Sequence, residues 1–551
     1  MSVMPSNSRK SFLSTAVSYG FRLKRLADYK SESPTMSKRI NRFLALIFVV
    51  ALSVTAGVIS QSAFARVFQQ ASVASATSSN ARNAAIVAAT AEVLKETSEI
   101  RELGILKPVK SGAQSRAAIE QMLIRNLNEQ VTPAEMHATE VSLRKFGLAP
   151  ADFQYRPFII KLLTEQVAGY YDPKVQKFHL ADWLEVEGQK PVMAHELTHA
   201  LQDQHFNLRR FEKWPQGDSD AQLAAHALIE GDATLAMTIY MAKNPLVALA
   251  FSRTLLTGVA TEQYDQAPRA IRESLIFPYL QGSEWATALF KRGGWPMVSS
   301  AFTRLPLSTE QILHPEKYFN YERPVKIVLP DLTTLLNASR QQTVNSKQQT
   351  AGNSDRVDPA PRRSDGASQR ARTAGVPPAA TRQRILREGT TPRHPLPTAN
   401  RPQPTASWRR IYADVNGEWS YYLVLDEFLK SPVESKRAAA GWAGDRYALY
   451  EGPSGQVFLA QIAVWDTAND AREFFDAYVK RTELRYPGAK ELDSASLEAG
   501  TRNSRLETQN SYSWQTNDGA VAIEIRGPRV IILEGIPDGV DRRALMKMLS
   551  Q

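Results

Sequence analysis

His195, Glu196 and His199 stand in the order H-E-x-x-H within the stretch PVMAHELTHALQDQHF, residues 191–206. On a helix, residues four apart share a face, so two imidazoles can point at one ion while the Glu196 carboxylate beside them moves a proton. Pro191 suits the first turn of that helix, and Ala194, Leu197 and Leu201 give its other face something apolar to bury. The chain contains no cysteine, so thiolate metal sites, cysteine nucleophiles and disulfides are excluded, and any metal centre is built from His, Asp and Glu. A catalytic zinc normally takes three protein ligands and keeps a position for water. The next long helical stretch, 219–243, offers His226 and Glu230 as the third ligand, with 30 residues between His199 and Glu230. Two antiparallel helices would bring either one beside the histidine pair, and small Gly231 and Ala233 would let the helices approach closely.

These residues resemble the gluzincin zinc metallopeptidases, in which H-E-x-x-H on one helix is followed by a glutamate ligand on the next, within E-x-x-A or E-x-x-x-D. Glu230 with Ala233 matches the E-x-x-A form, so the resemblance implies His195, His199 and Glu230 as ligands of Zn2+. Where the E-x-x-x-D form has its aspartate, this chain has Thr234. The partner of the first histidine must then come from elsewhere, and Asp203, one turn beyond His199, and Asp232 are the candidates. More broadly, EQVAGYYDP, HELTHALQDQ, EGDAT and STEQILHPEKY, all between 150 and 325, look like a family of exported bacterial metallopeptidases, and GWAGDRYALYE at 441–451 resembles it more weakly.

The resemblance implies a mainly helical zincin-like catalytic domain and a zinc-dependent peptidase, an endopeptidase acting on a peptide or protein substrate. Zinc would lower the pKa of its bound water towards about 7 and polarise the scissile carbonyl. Glu196 would act as general base and pass the proton to the leaving amine. The oxyanion needs a further donor, for which Tyr279, His314 and Tyr318 are candidates. The hairpin ahead of the motif helix could bind an extended peptide by β-addition. The competing readings are a zinc-binding, proteolytically inactive interaction protein of the envelope, and a non-peptidase zinc hydrolase, because the ion and base do not themselves choose an amide. His205 and His226 read as supporting or structural residues, and His137, His179 and His394 as ordinary ones.

With 551 residues, 43% of them hydrophobic and 22% charged, the chain can build sizeable cores. Its formal charge of +11 invites a nucleic-acid reading, but residues 1–65 carry a surplus of +7 and residues 338–407 one of +8. The remainder is negative, so no nucleic-acid partner is expected. Residues 1–65 read as a leader with a signal peptide: Lys38, Arg39 and Arg42 precede an apolar run at 43–59, and Ala63-Phe64-Ala65 supplies a cleavage site. Met36 is the better placed start for such a signal, and an uncleaved single transmembrane anchor at 43–59 is the alternative. The expected location is outside the cytoplasm, periplasmic or secreted after cleavage near Ala65.

Residues 66–335 then form the mainly helical domain, with helical spacing at 83–103, 115–130, 133–146, 150–165, 190–206 and 219–243, and a hairpin at 168–182 around Asp172-Pro173. The helical stretch 66–105 could also be a pro-segment that masks the site. Residues 338–407 hold nine of the 31 prolines with no apolar period, which predicts a disordered spacer and reads as an insertion. Residues 408–551 predict a small α+β domain with an antiparallel sheet, Asn517-Asp518-Gly519 being a hairpin turn. Its Trp442, Asp445, Tyr447 and Trp465 read as core more than as a binding platform, and no catalytic role is expected of it. The fold class is therefore α+β.

Overall fold

The computed structural model describes residues 68–166, 168–183, 185–213, 217–258, 262–338, 407–492 and 510–551. The expected leader, with Met36 and the 43–59 run, and all but the two end residues of the expected spacer lie outside them. Among the described residues no single helix is long and apolar enough to cross a membrane.

Helix α1 (Phe68–Arg101) turns Ile86, Val93, Leu94 and Ile100 inward at spacings that keep one helical face buried. Strand β1 (Lys110–Gln114) leads to α2 (Arg116–Gln130) and to α3 (Pro133–Lys145), whose start is fixed by a reciprocal Thr132–Glu135 capping box with Pro133 in the first turn. After α4 (Tyr155–Gln166) comes the expected hairpin, β2 (Gly169–Asp172) and β3 (Lys177–Ala181), paired antiparallel. β1 pairs in parallel with β3, giving the order β1-β3-β2 and leaving β2 at the edge. Nothing local in KSGAQ announces that strand; its partner is supplied by the fold.

Next come α5 (Val186–Phe206), α6 (Ser219–Lys243), α7 (Pro245–Gly258), α8 (Glu262–Gln266), α9 (Arg269–Ala301), α10 (Thr309–Leu313) and α11 (Pro315–Asn320). α5 starts earlier than the sequence predicts, so Pro191 lies inside the helix and not in its first turn. Packing carries the helix through it: Gly188, Gln189 and Pro191 are already buried. α9 is broken at Gly293 and Gly294, the latter at φ 64° and ψ −163°, a conformation open to glycine.

The second unit is a seven-stranded antiparallel sheet in the order β4-β5-β6-β10-β9-β8-β7. Its strands are β4 (Arg409–Asp414), β5 (Trp442–Glu451), β6 (Val457–Trp465), β7 (Lys490–Glu491), β8 (Ser511–Thr516), β9 (Gly519–Arg526) and β10 (Arg529–Ile536). Its helices are α12 (Gly417–Leu429), α13 (Pro432–Ala439), α14 (Ala468–Arg485) and α15 (Arg542–Leu549). The central strands are covered on both faces, which is why VFLAQIAVW reads as an apolar run without alternation. Tyr447, Leu449 and Leu459 join the cluster of Phe474 and Tyr478, while Tyr450, Phe458 and Ala460 pack with Leu545 and Leu549. Leu329 and Leu332, placed by sequence at the end of the first unit, pack on that second face together with Leu336.

The two units share one buried cluster, in which Phe277 and Trp285 of α9 join Trp419 and Tyr422 of α12. Polar contacts fix the junction: the Trp419 backbone N–H donates to the Thr309 hydroxyl, and the Ser219 backbone N–H donates to Asp414. Arg481 donates to Glu534 and to the carbonyl of Phe146, each at 2.6 Å.

Candidate metal centre

α5 runs through the interior, so its polar side chains are buried and must find partners. Those partners build the site. His195 Nε2 lies 3.1 Å from His199 Nε2 and 3.1 Å from Glu230 Oε2, and His199 Nε2 lies 3.3 Å from the same oxygen. These atoms form a nearly equilateral triangle. A tetrahedral zinc with bonds of about 2.0–2.1 Å sets its ligand atoms about 3.3 Å apart, so the donor set, two imidazoles and a carboxylate, fits such an ion in size and chemistry. All three residues are buried, and among the described residues they are the group of His, Asp and Glu side chains close enough to hold a metal ion. The structure thus brings together the three ligands that the motif and its resemblance imply.

Electrostatics agree with a site that expects a cation. Burial alone would raise the Glu230 carboxyl, but the charge of His199 and hydrogen bonds from His195, His199 and His226 outweigh it and hold it well below the usual range. Burial would lower His199, yet Glu230 raises it to about 9. Burial lowers His195. His199 thus carries a positive charge against the ionised Glu230 carboxylate, at a spot where a metal ion would take the place of that proton. Glu196 accepts the Tyr171 backbone N–H at 3.0 Å, and burial, reinforced by the charge of Glu230 and opposed by His199, pushes it up to about 8. The N–H that meets Glu196 belongs to the edge strand β2, so that edge runs alongside the site.

Neither aspartate proposed as partner of His195 takes that place. Asp203 accepts from the Tyr171 hydroxyl and the Leu208 N–H, and His195 Nδ1 has no hydrogen-bond partner among the described residues. Asp232 supports the other histidine instead, at one remove. Gln202 Oε1 meets His199 Nδ1 at 2.9 Å, Gln202 Nε2 donates to Asp232 Oδ2 at 2.9 Å, and Asp232 Oδ1 accepts from Arg101 Nε at 2.5 Å. Arg101 and Asp232 are fully buried, and Arg101 also lies over the Trp295 ring. Sequence reasoning missed Gln202 and Arg101; Gln202, three residues after His199 on the same helix, could have been found, whereas Arg101 has no local signal.

Gly231 was expected to ease the approach of the motif helix, but it faces α9. A Cβ there would lie 2.2 Å from the Gly282 carbonyl carbon and oxygen, and one on Gly282 would lie 2.2 Å from the Ala227 carbonyl oxygen. This close crossing brings Tyr279 to the metal site, where its ring stacks on His195 at 6.0 Å and its hydroxyl bonds Glu230. Burial, with the charges of Glu230 and Glu196, holds that phenol well above its usual range, so it stays a donor. The other two oxyanion candidates are engaged elsewhere: His314 with Glu418 at 2.9 Å, and Tyr318 with the Arg304 carbonyl at 2.8 Å. His226, 55% exposed, reaches Glu230 Oε1 at 3.3 Å. His205 meets the Gly104 carbonyl, His137 meets Glu451, His179 stacks on Tyr170, and His394 lies outside the described residues.

A cleft of about 600 Å³ opens onto Glu196, His199 and Glu230. Its walls come from both units: Tyr155, Ile159, Tyr171 and Ile271 on one side, Ser420, Leu423, Val424 and Tyr447 on the other. Trp442, Asp445 and Trp465 are buried in the core of the second unit, as the sequence favours, while Tyr447 is buried and also borders the cleft. Residues 406–546, which carry that second wall, match the model of a domain of unknown function (DUF8575). No curated protein and no solved structure matches the chain.

Proposed function

We propose that the protein is a zinc-dependent endopeptidase of the H-E-x-x-H plus glutamate type, with His195, His199 and Glu230 holding the metal. The observation that carries this reading is the triangle of ligand atoms with sides of 3.1, 3.1 and 3.3 Å, with Glu196 next to it in an open cleft. A bound zinc supplies Lewis acidity and lowers the pKa of water at the site. Glu196, buried and held by the Tyr171 N–H, takes the proton of the attacking water and returns it to the leaving nitrogen. Gln202 fixes the ring of His199, and Asp232 fixes Gln202. Tyr279, kept protonated by its surroundings, is the donor for the developing oxyanion. The outer edge of β2, whose Tyr171 N–H meets Glu196, aligns an extended peptide alongside.

An endopeptidase suits the cleft better than an exopeptidase. The described residues lining it include no Lys or Arg to pair with a terminal carboxylate, and no acid beyond Glu196 and Glu230 to pair with a terminal amine. The basic and apolar pattern of residues 38–65 supports action outside the cytoplasm. Glu196→Gln tests the mechanism: the variant should keep about one zinc per chain and lose peptide cleavage by at least about a hundredfold. Cleavage at the parental rate refutes the role of Glu196; a loaded parent that cuts no peptide in a broad library refutes the peptidase.

A further inference from the structure

The cleft has a wall that the metal-binding unit does not supply, and the helix forming it has three faces with different duties. One face of α12 is locked to the first unit. Trp419 packs tilted on Phe277 with ring centroids 4.7 Å apart and donates its backbone N–H to Thr309, while Arg269 reaches the Tyr422 hydroxyl at 2.9 Å and the Asp426 carboxylate at 2.5 Å. A second face enters the core of its own unit, where Tyr421 packs on Phe474 and Trp465. The third face, Ser420, Leu423 and Val424, is left to the cleft, opposite Glu196 and Glu230. Asn416, just ahead of the helix, borders the same space, and its position is fixed by Asp445, which accepts its backbone N–H.

The locking contacts matter as much as the third face. Gly417, at φ 73°, has room for no Cβ, which would lie 1.7 Å from Asp220 Oδ1, so the start of α12 sits directly on the first turn of α6. α6 is the helix that carries Glu230. The distance from metal site to wall is therefore set by packed elements. The space between them is uncharged away from the metal site and lined chiefly by aliphatic and aromatic side chains, and its volume is in the range of small-ligand pockets. Such a space favours a side chain that loses apolar surface to it and rejects one whose charge would go unpaired.

We propose that region 406–546 supplies, through α12 and Tyr447, the outer wall of the substrate cleft, and that its Ser420, Leu423 and Val424 face selects peptides with a bulky apolar side chain beside the scissile bond. This rests on the peptidase reading. It assigns to the domain of unknown function a specificity role inside this chain, where the sequence suggested no part in catalysis.

The test uses two peptidyl hydroxamates, one carrying phenylalanyl and one carrying glycyl next to the metal-binding group, titrated into the zinc-loaded full chain. The phenylalanyl probe should bind about 10- to 100-fold more tightly. Ser420→Trp, at a partly exposed position, should reduce that ratio at least about fivefold with zinc content unchanged. Ser420→Glu, which needs no added space in the core, should do the same by placing a charge in the wall. Equal affinity for the two probes, or a ratio unmoved in whichever of the two variants folds, overturns the inference and leaves the peptidase reading standing. Failure of both probes to bind metal-treated parent overturns the peptidase reading and the inference with it.

Discussion

Replacing Arg101 with Met tests whether α1 belongs to the metal site. Arg101 and Asp232 are fully buried and 2.5 Å apart, and Asp232 has one further donor, Gln202. Removing the guanidinium leaves a buried carboxylate without its cation, which costs about 3–5 kcal/mol of folding stability. It also loosens the chain from Asp232 through Gln202 to His199, and loss of such a support typically weakens metal binding about 10- to 100-fold, or about 1.4–2.7 kcal/mol. The double variant Arg101→Met with Asp232→Leu separates the two effects: with no unpaired charge it regains much of the stability, while Gln202 keeps the Ile229 carbonyl but lacks the carboxylate. Urea unfolding of the metal-free chain gives the first quantity, and zinc competition against a chromophoric chelator gives the second. Parental zinc affinity in a stably folded double variant would refute the relay and reduce Arg101 to a structural residue. The outcome also bears on the reading of 66–105 as a masking pro-segment, because removal of a mask raises activity, whereas removal of Arg101 is expected to lower metal affinity.

Three further outcomes follow from the geometry. Gly231→Ala places a methyl 2.2 Å from the Gly282 backbone, so α6 and α9 must separate; a stability loss of at least about 2 kcal/mol, read by thermal unfolding, is expected, and a neutral result refutes the close crossing. Tyr279→Phe should lower kcat about 10²- to 10³-fold with zinc content intact; a fall in zinc affinity with kcat preserved would make Tyr279 a support of Glu230 instead. Burial would raise Glu534, but Arg481, Arg485 and Lys145 hold it near about 2, below its unfolded value near 4.5. Its contribution is thus present above the unfolded value and is lost as pH falls through the folded one. Between pH 7 and pH 3 the parent should lose about 2 kcal/mol more than Glu534→Gln in urea unfolding, and equal losses would refute the pairing.

Much of the fold was legible locally. The α+β class, the hairpin at Asp172-Pro173, the motif helix and the turn at Asn517-Asp518-Gly519 all follow from patterns a few residues long, and in the structure that turn joins β8 to β9 with Gly519 at φ 94°. Where local signals misled, packing had overruled them: Pro191 is carried inside α5 because its surroundings are buried, and Gly231 turns to α9 because a glycine waits there at 282. β1 has no apolar alternation to betray it, since its place depends on a parallel neighbour more than sixty residues later in the chain.

What the sequence by itself determined is the chemistry available: no thiol, and two imidazoles and a carboxylate spaced by the period of a helix. What only the tertiary structure decided is how that chemistry is supported and confined. It joined Glu230 to the histidines at 3.1 and 3.3 Å, set Tyr279 beside His195 while engaging His314 and Tyr318 elsewhere, and drew Arg101 to Asp232 across 131 residues of chain. It also set Ser420, Leu423 and Val424 of a second unit across the cleft from Glu196. The reason is physical. A helix repeats every few residues and so records its own face in the sequence, whereas a contact between distant segments depends on which buried surfaces exclude water together, and that leaves no period to read.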